Sequence, residues 1–241
     1  AARQRPGILG AGWMLSQDYI QRDINFTPSN SSDDEFLLSF QGSQHELIYS
    51  TADSVWHTKI VSFLKIQRLS GGSNDYAQYW LLTTKDGTKY RFGYRNDSEL
   101  TSNTGRNYAV KWSLDRIEDT HGNQVTYNYA ESLSPEDHGV AYLDSIDYNQ
   151  RAVYFTYENS TRPDQRIIYE QGNRLAESRR LTDVSLYATG NLVRRYHLNY
   201  TQLAPSVSAL SQIIEVGNDN TSFRYGITFQ YYLPEPGYSN S

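Results

Sequence analysis

No cysteine occurs in the 241 residues. That absence excludes a disulfide framework, a thiolate nucleophile and a Cys-ligated metal, and it leaves the redox compartment unmarked. Positive charge is short as well: 22 Lys and Arg stand against 27 Asp and Glu, a formal net charge of -5 at pH 7. A nucleic-acid partner would require a concentrated basic face for counterion release. The densest basic spots, Arg179-Arg180 and Arg194-Arg195, read instead as solvated strand ends or charged guards on sheet edges. Long apolar runs are missing too, and none approaches the roughly 18 residues of a membrane span. The chain opens on the polar "AARQRPG", unlike the apolar core of a signal peptide, so a secreted protein would be present here as a processed form or an excised piece.

What is there favours sheet. Hydrophobic residues make up 38% and charged residues 20%, and 21 tyrosines stand against 1 methionine, a composition suited to a pleated, half-buried surface. At this length a single all-β unit buries enough core to fold without staples. Four phrases then share one plan: "LDRIEDTHGNQVTYNYA" (114 to 130), "LDSIDYNQRAVYFTYEN" (143 to 159), "LTDVSLYATGNLVRRYHLNYT" (181 to 201) and "LSQIIEVGNDNTSFRYGITFQYY" (210 to 232). Each has a Leu-x-x-[Ile/Val] strand, a turn rich in Gly, Asn or Asp, and a return strand with period-two alternation, which together spell a β-hairpin. The opening leucines fall at 114, 143, 181 and 210, a spacing that marks stacked units, each covering the apolar face of the next.

The first half, 1 to 113, is strand-like but less regular. "YWLLTTKDGTKYRFGY" (79 to 94) is a hairpin turning at Asp86-Gly87, "EFLLSFQGSQHELIYS" (35 to 50) turns at Gln41-Gly42, and "SVWHTKIVSFLKIQRL" (54 to 69) reads as two strands or one bent strand. A turn is expected near Ser134-Pro135-Glu136-Asp137. The polar loops at 25 to 34, 70 to 76, 96 to 107 and 131 to 139 are too short for interdomain linkers. The expected fold is all-β, with repeated antiparallel hairpins forming a curved sheet or part of a β-shell, in one domain spanning 1 to 241 whose hairpin rungs run from 114 to 232.

Six sequons, at Asn25, Asn30, Asn96, Asn159, Asn199 and Asn220, are glycosylation candidates and point to secretion. Catalytic chemistry finds no foothold. His45, His57, His121, His138 and His197 are scattered, with no His-Glu-x-x-His or His-x-His, and so imply no metal. The run Asp33-Asp34-Glu35 could supply carboxylates for glycoside hydrolysis or Ca²⁺. Neighbours on a strand point to opposite faces, however, and the run reads as a solvated strand entry. "GILGAG" (7 to 12) lacks the βαβ setting of a dinucleotide loop, so Gly10 and Gly12 read as bends beside a buried Trp13. Gly-x-Ser-x-Gly and the phosphate-cradling Gly-x-x-x-x-Gly-Lys-[Ser/Thr] are absent. No catalytic residue, metal or cofactor is expected. Gly87 and Gly122 are read as turn residues, and Trp56, Trp80 and Trp112 as core rather than sugar-stacking platforms.

The segment "GILGAGWMLSQDYIQRD" (7 to 23), followed in order by "DDEFLLSFQG", "YWLLTTKDGTKYRFG", "WSLDRIEDTHGNQVTYNY" and "YLDSIDY", resembles the SpvB-type domain found at the N-terminus of toxin-complex B components and in Rhs and YD-repeat proteins. The resemblance covers 7 to about 232. It implies a section of a large β-strand shell, related to the cages of Rhs and toxin-complex proteins and to the teneurin barrel. The Gly-x-x-x-Arg-Tyr-Asp-like arrays, the self-cleaving aspartyl-protease segment and the toxin tail of those proteins are missing, as are the Ser-Thr-Ser and Glu-x-Glu of an ADP-ribosyltransferase. The expected role is a non-enzymatic shell or interaction module of a secreted, virulence-associated protein, whose partner is further β-shell polypeptide of the same or a companion chain. The alternative is a carbohydrate-binding domain with a glycan partner, followed by a glycan-active enzyme. Unpaired strand edges are expected near 14 to 24 or 223 to 232.

Overall fold

The computed structural model describes residues 7–27, 29–60, 62–104, 107–165, 167–204 and 207–231. Among these residues the regular structure is β-strand, joined by a single short 3-10 turn at Asn96–Ser98. Strands β1 (Tyr19–Asp23), β2 (Glu35–Phe40), β3 (Ser43–Ser50), β4 (Val55–Thr58), β5 (Lys65–Ser70), β6 (Gln78–Thr83) and β7 (Lys89–Phe92) pair in chain order, each antiparallel to the next. After β8 (Glu99–Thr101) comes the long β9 (Ala109–Glu118), which pairs with β7. It also pairs with β1, through Tyr19↔Ser113, Ile20↔Trp112 and Gln21↔Lys111. That last pairing closes eight strands into a barrel, so the irregular first half of the sequence is a complete architectural unit.

The barrel interior follows from the two-residue period. In β2 the burial alternates so that Phe36, Leu38 and Phe40 face inward, and they meet Ile20, Leu47, Ile66, Trp80, Leu82, Phe92, Trp112 and Leu114 in one cluster. Full burial of each such side chain stabilises the fold by about 1.5–3 kcal/mol. The Trp80 and Trp112 rings meet edge to face with centroids 5.9 Å apart, an arrangement that aromatic quadrupoles favour.

β9 is also the junction to the rest of the chain. It continues through β10 (Gln124–Ala130), β11 (Tyr142–Tyr148), β12 (Arg151–Tyr157), β15 (Leu181–Ala188), β16 (Asn191–Ala204), β17 (Val207–Val216) and β18 (Phe223–Thr228), all antiparallel neighbours. The four repeated phrases are thus adjacent rungs of one sheet. Their turns use the expected Asn149 and Gly190 but also Gln150 and Thr189: Asn149-Gln150 has φ of 41° and 61°, and Thr189-Gly190 has 48° and 79°, the paired positive values of a two-residue hairpin turn. Near Ser134, a β-turn bonds the Asp137 amide to the Ser134 carbonyl.

The repeat has a hydrogen-bonded core. A tyrosine on the return strand, or just past it in the last rung, donates its hydroxyl to the carbonyl of the leucine that opens the rung: Tyr129 to Leu114 at 2.7 Å, Tyr157 to Leu143 at 2.8 Å, Tyr200 to Leu181 at 2.6 Å and Tyr231 to Leu210 at 2.6 Å. Each aromatic body fills the layer under its rung while its polar tip satisfies a main-chain acceptor, the pairing that lets tyrosine be buried.

Two segments tie the sheet's ends together. The hairpin of β13 (Ile167–Glu170) and β14 (Asn173–Ala176), which the sequence reading missed, turns at Gln171-Gly172 and forms a separate small sheet. It docks through Asn173 and Arg174 onto Ser102 and Asn103. The N-terminal segment bridges Gly10 to Ala209 and bonds Ala11 to the Ser208 carbonyl at 2.7 Å. A β-carbon on Gly10 would stand 2.9 Å from that same carbonyl oxygen. Nearby, Arg162 and Asp164 form a buried bidentate pair, and Asp164 also accepts bonds from the Ser208 amide and hydroxyl.

Trp13 departs from its expected burial. It is 39% exposed, and it packs on Phe229 and donates to the Tyr231 hydroxyl rather than lying under the first hairpins. The reason is Gly10, which pins the N-terminal segment to β17, remote in sequence from β2 and β3. Nor is there a free edge at 14 to 24, since β1 is paired on both sides by β2 and β9.

Candidate functional site

Two strands of the barrel carry the same tripeptide, Ile20-Gln21-Arg22 in β1 and Ile66-Gln67-Arg68 in β5. Because side chains two apart share a face, the alternation that buries Ile20 and Ile66 also turns Arg22 and Arg68 toward the barrel interior. Register confirms the placement: Arg22 is paired with Phe36 and Arg68 with Trp80, both core residues. The Arg22 guanidinium lies 5.6 Å from the Phe36 ring centroid, 5.4 Å from Tyr108 and 5.7 Å from Trp112. Arg68 lies 5.1 Å from Phe36 and 5.7 Å from both Trp80 and Trp112. Two cations thus share the aromatic floor of one barrel mouth, which partly offsets their desolvation.

One carboxylate answers them. Arg22 Nη1 donates to Asp34 Oδ2 at 2.8 Å, with the two side chains only 10% and 7% exposed. Asp34 is therefore not part of a solvated strand entry. Asp33 is tied back into the loop before β2, where it accepts a bond from the Thr27 hydroxyl, and its carbonyl accepts one from Asn25. Burial raises the Asp34 pKa, and the charge of Arg22 pulls it back. Burial lowers that of Arg68 to about 10, with the Arg22 charge adding to the shift. Arg68 donates to the Gln78 side chain, while the Nε of each arginine has no hydrogen-bond partner among the described residues.

Over these groups opens a cleft of about 640 Å³, walled further by Tyr49, Trp56, Tyr76 and Asn30. Tyr49 and Trp56 meet at 5.3 Å with their rings inclined by 56°, and Trp56 is half-buried. The arrangement offers paired cationic donors, one acceptor and stacking surface. Among the described lining residues, no Ser, Thr or His is hydrogen-bonded to a carboxylate or imidazole base. Among the described residues, no three of His, Asp and Glu gather where a metal ion could sit.

The other sequence candidates fall elsewhere. His57, His138 and His197 each have one polar partner, in Asp53, Arg174 and Asp183. His45 is a half-buried strand residue, and His121 is exposed in its turn. Trp80 and Trp112 are core, as read from the sequence, and form the floor beneath the arginines. Gly87 and Gly122 adopt φ of +88° and +82° in their turns, and Gly12 has +82°. Asn25, Asn30, Asn96, Asn159 and Asn220 are exposed, whereas Asn199 lies within β16 and bonds Gln212. Sequence reasoning passed over Arg22 and Arg68, although a signal was present in the Ile-Gln-Arg repeated in the two segments.

The SpvB family model, described as Salmonella virulence plasmid 65kDa B protein, matches residues 2–185. Among solved structures, the N-terminal domain of effector protein SpvB from Salmonella typhimurium strain LT2 is similar, with a TM-score of 0.72 and 16% identity over 95% of this chain and 92% of that chain. The Photorhabdus luminescens Tc holotoxin pore matches with a TM-score of 0.72 and 16% identity over 94% of this chain, but only 14% of its own. The TcdB2-TccC3 structure matches at 0.72 and 16% over 93% of this chain and 14% of that chain. At such identities the likeness is one of fold. No curated protein matches the chain by sequence.

Proposed function

The chain belongs to the SpvB family, and we propose that it serves as a non-catalytic wall section of a secreted, virulence-associated β-shell, working as one continuous unit joined to further shell polypeptide through β18. The observation that carries this reading is the state of that strand. β18 pairs with β17 on one edge, no described strand pairs with its other edge, and Phe223, Tyr225 and Ile227 are all exposed along it. A terminal strand with an open ladder and an apolar face is a template for another strand, and monomeric proteins normally blunt such edges with charge or proline. Structures similar to this chain include long toxin polypeptides in which the matching region is a small part, which supports reading it as a section of a larger wall. The companion could be more of the same polypeptide or a second chain.

The test is reconstitution with further β-shell polypeptide, comparing the wild-type protein with Tyr225→Lys/Ile227→Lys. Co-elution that the double variant abolishes, while its melting temperature holds, is the expected result. Assembly indifferent to these substitutions would remove β18 from the interface. Turnover of polysaccharides, esters, nucleic acids or NAD, abolished by one carboxylate substitution, would overturn the non-catalytic reading.

A further inference from the structure

The barrel mouth holds more cation than a structural core needs. Arg22 and Arg68 stand over the same two rings, Phe36 and Trp112, and among the described lining residues Asp34 alone carries negative charge. Burying two guanidinium groups against one carboxylate leaves an uncompensated charge in a low-dielectric site, an arrangement that costs stability and that apolar replacements commonly relieve. The unpartnered Nε of Arg22, on a side chain nine-tenths buried, adds an unmet donor. Unmet donors and surplus positive charge at the floor of an open cleft are the features that a bound anion completes.

The walls narrow the kind of anion. The cleft's 640 Å³ falls in the range of small-molecule sites, and a lone carboxylate would leave most of it empty. Tyr49 and Trp56 add aromatic surface to the cleft wall, suited to a flat or weakly polar body. Asp34 supplies an acceptor that hydroxyl groups could use, whereas it would repel a doubly charged phosphate. We propose that the mouth of the barrel binds a carboxylate-bearing sugar, of the uronic or sialic acid class, with Arg22 and Arg68 holding the carboxylate, Asp34 accepting from ring or side-chain hydroxyls, and Tyr49 and Trp56 packing on the sugar's less polar face. The site shares no residue with β18, so it stands or falls independently of the wall-joining role.

Calorimetric titration of the purified chain with glucuronic acid and with N-acetylneuraminic acid tests the proposal, with tryptophan fluorescence as a second readout because Trp56, Trp80 and Trp112 adjoin the site. Saturable binding of at least one of these acids is expected. The methyl ester of that acid and the Arg68→Gln variant should each weaken it by about tenfold or more, the scale of a lost charge-assisted bond. Arg68→Gln should keep or raise the melting temperature, because it relieves the repulsion from Arg22, and this separates loss of a ligand contact from loss of the fold. The ester comparison reads the carboxylate on unaltered protein, should the variant not fold. Absence of saturable binding by both acids, equal or tighter binding of inorganic phosphate or hexaglutamate, or undiminished binding by folded Arg68→Gln would each overturn it.

Discussion

The hydroxyl of Tyr157 donates to the main-chain carbonyl of Leu143 across 2.8 Å of buried interior, and the same relation recurs where Tyr129 meets Leu114, Tyr200 meets Leu181 and Tyr231 meets Leu210. Tyr157→Phe keeps the ring and removes only the donor, leaving a buried carbonyl unsatisfied. A loss of roughly 1–2 kcal/mol in urea unfolding is expected, against a change within about 0.5 kcal/mol for Tyr154→Phe, whose ring is exposed on the same strand. Equal effects at the two positions would show that the bond contributes nothing.

That ladder explains why the rungs could be read from the sequence. Leu143 and Tyr157 recur because each rung needs the same acceptor and the same donor, and period-two alternation carries the tyrosine to the buried face. Barrel closure was not legible: Ile20 and Trp112 are paired neighbours but stand far apart in the chain, and nothing local in either strand names the other. The β13–β14 hairpin was missed although Gln171-Gly172 is as good a turn as Gln41-Gly42, because its strands are four residues each and show little alternation. At the site, Arg22 and Arg68 were hidden by the rule that charge faces solvent, which fails here because the aromatic floor of Phe36 and Trp112 partly replaces water around them.

Gly93 lies against Trp112 so closely that a β-carbon would stand 2.2 Å from the indole Cδ1 and 2.6 Å from Trp112 Cβ, and its φ of +65° is strained for any side chain. Trp112 is fully buried and cannot retreat. Gly93→Ala should therefore cost roughly 3–4 kcal/mol, combining overpacking with the left-handed penalty. Gly122→Ala has a comparable φ of +82° and no atom within 4 Å, so it should cost only about 1–2 kcal/mol. Chemical unfolding of both variants checks the difference, and similar losses would mean that φ alone decides.

The two tryptophans separate in the same way. Trp112→Ala empties the centre of the barrel and should cost about 3–5 kcal/mol. Trp13, at 39% exposure and held by Phe229 and one bond to Tyr231, should cost only about 1 kcal/mol when replaced by alanine. Losing its indole should also free Tyr231, so faster amide exchange around 229 to 231 is expected with little change elsewhere. A Trp13→Ala loss matching that of Trp112→Ala would place it energetically in the core.

Glu99 provides the pH dependence. It sits opposite Trp112 in the β8–β9 pairing and is 1% exposed, and burial pushes its pKa up to about 7, with Asp75 adding to the rise and the Trp112 indole and backbone amides of Tyr76 and Asp75 pulling it partly back. The ordinary value is 4.5. Between these values the folded chain holds a proton that the unfolded chain has released, so this group's contribution to stability falls as pH rises from 4.5 to about 7 and is level above that. The size of the fall is roughly 3 kcal/mol. Glu131, whose pKa burial also raises, works in the same direction, while paired carboxylates such as Asp164, held down to about 2 by Arg162 and Ser208 against the effect of burial, lose stability only in stronger acid. The comparison that isolates Glu99 is therefore between wild type and Glu99→Gln in urea melts at pH 5 and pH 8. Glutamine keeps the shape of the protonated acid, so the two proteins should be close at pH 5, and the variant should be the more stable by that amount at pH 8. A difference that does not change with pH would show that Glu99 ionises in the folded barrel as it does in water.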